Sequence, residues 1–68
     1  MAIQINLSGQ EGNAYVLLGY ALRLSKQLEL DPKPIVDDMT SSDYNHLLNV
    51  FEKHFGLFVK LLNRDGEG

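Results

Sequence analysis

The sequence predicts an α+β fold, a single small domain in the order β-α-α-α-β with a two-stranded sheet and two main helices. Two patterns carry that expectation. Ile3, Ile5 and Leu7 alternate with Gln4, Asn6 and Ser8, the period of a strand with one apolar face, whereas apolar residues between Ala14 and Phe55 recur every three or four positions, the period of helices. The last apolar run, Leu57 to Leu62, fits a strand or a further helical turn about equally well. It is read as a strand because the returning chain can then pair with the first one and satisfy its bare backbone groups; a helical run would make the fold all-α.

Taken in order, the first strand covers about Ala2 to Leu7, and the polar, Gly-containing stretch from Ser8 to Gly12 turns the chain. Asn13 is placed to cap the helix that follows, because its side-chain amide can accept from the free backbone N–H groups of a first turn. Ala14, Leu17, Ala21, Leu24 and Leu28 form one helical stripe, with Tyr15, Leu18 and Leu22 in a second row beside it. No charged residue occurs from Ala14 to Leu22, so this stretch is apolar nearly all round, and Gly19 in its middle suggests a crowded face.

Asp31-Pro32-Lys33-Pro34 ends the first helix and starts a short second one, since Asp caps well and Pro fits a first turn. Ile35, Val36 and Met39 give that helix an apolar edge. Ser41 or Ser42 is expected to cap the third helix, with Asp43 in its first turn near the positive end of the dipole. Tyr44, Leu47, Leu48, Phe51 and Phe55 make the inner stripe of this helix, Asn45, Asn49, Glu52 and Lys53 its wet side, and Gly56 its stop. Residues 1–63 are read as the compact domain and 64–68 as a disordered polar tail.

A chain of 68 residues with no Cys has neither disulfides nor thiolate zinc to reinforce it. Burial of about 4,000 Å² of apolar surface contributes roughly 100 kcal/mol, and ordering the chain costs about the same, so a lone copy would be marginal. Self-association is the reinforcement that remains, and the uncharged opening of the first helix, facing both the core and a second copy, is where it is expected. Pairing of the sheet across a two-fold axis would add to it.

Six Lys plus Arg against nine Asp plus Glu give a net charge of −3, and the cations are scattered singly, which argues against a nucleic-acid-binding protein. No leader or membrane span is recognisable, so a cytosolic protein is expected. His46 and His54 stand eight apart, about 80° around a helix, and do not form a one-turn metal pair. Asp31, Asp37, Asp38 and Asp43 lack the alternation, central Gly and closing Glu of a calcium loop. With no Cys nucleophile and no Gly-x-Ser-x-Gly elbow, no enzyme activity, cofactor or metal is expected.

Two clusters remain as recognition candidates. Gly9-Gln10-Glu11-Gly12-Asn13 opens a helix and can present backbone N–H groups, without a phosphate-loop ending; Ser42-Asp43-Tyr44-Asn45-His46 combines polar groups with an aromatic ring. Gly12, Asn13, Tyr15, Asp43, Tyr44 and His46 are therefore the candidate ligand- or partner-binding residues.

The motifs Asn6-Leu7-Ser8-Gly9, Glu11-Gly12-Asn13-Ala14-Tyr15, Leu17-Leu18-Gly19-Tyr20-Ala21, Ser42-Asp43-Tyr44 and Phe55-Gly56 give the chain a family likeness over about residues 3–62. It resembles a group of short accessory proteins of tailed bacteriophages, which pair a Gly-Asn-Ala-aromatic helix start with a later Ser/Gly-Asp-Tyr helix start. The resemblance implies a protein made in the cytoplasm of an infected bacterial host, and carries no site residue with it. Together these readings lead to a non-enzymatic, homo-oligomeric phage accessory protein that masks a host protein or sequesters a small molecule such as a signalling nucleotide. The alternatives are a nucleic-acid-binding regulator and a structural subunit of a larger phage complex.

Overall fold

In the computed structural model, which describes residues 3–64, β1 (Ile3–Asn6) and β2 (Val59–Leu62) pair in parallel, Ile3 opposite Val59 and Asn6 opposite Leu62. Between them run α1 (Ala14–Gln27), α2 (Pro32–Met39) and α3 (Tyr44–Phe55), with a short 3-10 turn at Gln10–Gly12. A parallel pair cannot be closed by a hairpin, so the three helices together form the crossover. Leu57 to Leu62 is thus a turn leading into a strand, and the α+β architecture holds. Ala2, the expected first residue of β1, lies outside the described residues.

Alternation sets the faces of the sheet. Ile5 and Val59 are buried against the helices while Gln4 and Lys60 point to water. Beyond the strands the ladder continues through Ile3 N–H to Phe58 O and Leu7 N–H to Leu62 O, each 2.9 Å. The far ends are tied by side chains: Asn6 Oδ1 accepts from Ser8 N–H, the Ser8 hydroxyl and Asn63 Nδ2. Asn63 has a φ of 59°, a left-handed conformation that Asn tolerates better than most residues.

Each helix starts where a short polar side chain meets free N–H groups. Asn13 accepts from Tyr15 N–H at 2.8 Å, Asp31 from Lys33 N–H at 3.1 Å, and Asp43 from His46 N–H at 2.9 Å. The cap of α3 is therefore Asp43, not Ser41 or Ser42. Ser41 instead turns back, its hydroxyl donating to Asp38 O at the end of α2. α1 closes with Leu30 N–H bonded to Ser25 O and Glu29 N–H to Lys26 O, around Glu29 at a φ of 60°. Gly56 does not end α3 through a left-handed conformation; it stays helical at a φ of −61°, and the turn is completed by Phe58 N–H to Phe55 O.

The core joins Ile5 and Val59 of the sheet to Leu17, Ala21 and Leu24 of α1, Ile35 and Met39 of α2, and Leu47, Leu48, Val50, Phe51 and Phe55 of α3. Ser25 sits within it, fully buried, its hydroxyl without a hydrogen-bond partner among the described residues. The expected tail needs one correction. Arg64 is mostly buried and lies along α3, where its guanidinium pairs with Glu52 and donates to Asn45 Oδ1 at 2.9 Å and Asn49 Oδ1 at 2.5 Å. Residues 65–68 lie outside the described region.

Candidate functional site

The N-terminal ends of α1 and α3 meet at one edge of the molecule. Leu7 runs directly above the 3-10 turn, so close that a Cβ on Gly12 would stand 2.1 Å from the Leu7 carbonyl oxygen. Only glycine lets the chain pass there. The Gly12 carbonyl in turn accepts a hydrogen bond from the Tyr44 phenol, the first residue of α3.

Beside this bond opens a groove of about 290 Å³. α1 contributes Ala14, Tyr15 and Leu18, and α3 contributes Tyr44 and Leu47. Met39, Thr40, Ser42 and Asp43 close it from the end of α2 and the link to α3. Tyr15 is 82% exposed and Tyr44 41% exposed, so two aromatic rings stand at the mouth of an apolar floor. Burial pushes the Tyr44 phenol above its usual range, and the Arg64 guanidinium nearby partly opposes that shift. The phenol thus stays protonated and serves as donor to Gly12.

Of the six residues singled out from the sequence, Tyr15, Asp43 and Tyr44 line the groove and Gly12 anchors its edge through its carbonyl. Asn13 lies next to it with its side chain committed to the cap of α1. His46 is turned elsewhere: its Nε2 stands 2.9 Å from Asp38 Oδ1, joining α3 to the last turn of α2. Ala14, Leu18, Met39, Thr40 and Leu47 were missed as groove residues, and Ser42, part of the second recognition cluster, was not among the six. Helical spacing marks Leu18, Met39 and Leu47 as inward-facing, and nothing in the sequence tells an inward residue at a groove from one in the core.

Among the described residues no cluster of His, Cys, Asp or Glu could hold a metal ion, and no helix is long and apolar enough to cross a membrane. Lys33 pairs with Asp37 and Arg64 with Glu52 among the described residues. No protein-family model, curated protein or solved structure matches the chain.

Proposed function

We propose that the protein acts by binding rather than catalysis, docking one apolar side chain of a protein partner, flanked by Lys or Arg, in the Tyr15–Tyr44 groove and so masking that partner. The observation that carries this reading is the make-up of the groove: two accessible tyrosines and an apolar floor beside the Asp43 carboxylate, with no Lys or Arg on its lining among the described residues. Tyr rings offer large contact area at low entropic cost, and an acid at the rim suits a cationic flank. A signalling nucleotide, the other expected occupant, would bring phosphates to a site whose lining, among the described residues, holds one carboxylate and no Lys or Arg, the nearby Arg64 guanidinium being engaged with Glu52, Asn45 and Asn49. The volume, about 290 Å³, also lies at the bottom of the range for small-molecule sites and suits a single anchoring side chain.

Among the described residues no hydroxyl of the groove is hydrogen-bonded to the Asp43 carboxylate: Thr40 donates to the carbonyls of Val36 and Asp37, and the Tyr44 phenol donates to that of Gly12. The setting, an accessory protein masking a host protein in the cytoplasm of a phage-infected bacterium, rests on the resemblance of the two helix-start motifs. Selection of a random peptide library on the immobilised protein tests the reading. Enriched peptides should share an aromatic or Leu anchor next to Lys or Arg and should not bind the Tyr15→Ala variant, whose exposed side chain the fold does not need. Enrichment of peptides that bind Tyr15→Ala equally well, or saturable binding of a cyclic dinucleotide in place of peptides, would reject it.

A further inference from the structure

The outer face of α1 is the largest feature that the groove does not account for. Tyr15, Val16 and Leu22 are 82%, 37% and 47% exposed, and Gly19 stands among them with open space where a Cβ would be. The helix is uncharged for its first nine residues and then carries Arg23, whose guanidinium stands 5.8 Å from the centroid of its own Tyr20 ring, and Lys26, both exposed and neither in an ion pair among the described residues. Its opposite end is bordered by the Asp43 carboxylate, which shares the groove with Tyr15. The face is therefore apolar in the middle, cationic at one end and acidic at the other.

We infer that this face binds a second copy of the chain, the two α1 helices crossing antiparallel at Gly19. Antiparallel crossing at that residue sets Tyr15 opposite Arg23 of the second copy and Val16 opposite Leu22, and does so twice because the contact is two-fold symmetric. The cationic end of each helix then meets the aromatic and acidic end of the other, the exposed Arg23 guanidinium exchanging its own Tyr20 ring for Tyr15 of the second copy. A parallel pair would set Arg23 against Arg23 and Lys26 against Lys26. At Gly19 the missing side chain lets the two backbones come close, as small residues do at tight helix crossings. Gly19 and Leu22 lie outside the groove lining, so loss of pairing and loss of groove binding are separately readable.

The cysteine-free chain makes the test direct. At about 50 µM, the whole protein should sediment at twice its chain mass of 7.7 kDa, and Leu22→Glu should weaken pairing by at least about tenfold while its circular dichroism stays unchanged. Under mild oxidation Gly19→Cys should give a covalent dimer much faster than Lys53→Cys, an exposed position on α3, and faster than Arg23→Cys. A monomer at that concentration, or Gly19→Cys crosslinking no faster than Lys53→Cys, overturns the pairing. Arg23→Cys crosslinking as fast as Gly19→Cys overturns the antiparallel arrangement.

Discussion

The Tyr44 phenol donates a hydrogen bond to the carbonyl of Gly12, joining the first residue of α3 to the turn that precedes α1, 32 positions earlier in the chain. One bond thus holds together two helix starts that form the two sides of the groove, and its donor must be protonated. Burial raises the phenol's pKa in the folded protein above the unfolded value near 10. The stabilisation is therefore fully present below pH 10 and lost as pH rises through the folded value. Tyr44→Phe should cost about 1 kcal/mol at neutral pH and flatten the alkaline loss of stability, read by urea unfolding from pH 7 to 11. An unchanged alkaline profile in Tyr44→Phe would mean that this phenol does not govern the loss.

Gly12→Ala places a methyl group 2.1 Å from the Leu7 carbonyl oxygen, an overlap that only backbone movement relieves. The expected cost is about 2 kcal/mol, a fall of roughly 10 °C in Tm. Gly9→Ala, whose Cβ would meet nothing closer than Asn6 O at 3.8 Å, serves as the matched control and should melt within about 2 °C of the wild type. Thermal melts of both variants side by side decide this; equal Tm values would show that the turn is not rigid.

Ser25 is fully buried, with a hydroxyl that has no hydrogen-bond partner among the described residues. Its replacement by Ala removes that polar group and improves helix propensity, so Ser25→Ala should stabilise the protein by about 1 kcal/mol in urea unfolding. Destabilisation would show that the hydroxyl finds a partner, a water or a backbone carbonyl, in solution.

Much of the fold is legible in the sequence because local pattern and tertiary burial agree. The alternation of Ile3, Ile5 and Leu7 and the stripe from Leu47 to Phe55 both point their apolar residues at the core that forms. What escaped has no distinguishing mark in the local pattern. Ser41, Ser42 and Asp43 are all good caps, and local propensity cannot choose among them; Asp43 is the one whose carboxylate meets His46 N–H. Strand alternation is the same in either direction, so the parallel pairing of β1 with β2 has no local signature. Arg64 stands alone in a polar stretch, and its place along α3 depends on Asn45, Asn49 and Glu52 spaced on one helical face. Three of the groove residues, Tyr15, Asp43 and Tyr44, were visible because they crowd helix starts, whereas the floor of Leu18, Met39 and Leu47 reads as ordinary core.

The claim at the centre is that the Tyr15–Tyr44 groove accepts an apolar anchor beside a cation. Titrating the isotope-labelled protein with the blocked tripeptide Lys-Trp-Lys to about 5 mM, with Glu-Trp-Glu in parallel, measures this by amide chemical shifts. Lys-Trp-Lys should move the amides of Ala14 to Leu18 and Thr40 to Leu47 in a saturating manner, and Glu-Trp-Glu should leave them nearly unmoved. Equal shifts with both peptides, or shifts centred on Leu57 and Phe58 at the head of the sheet, would contradict it.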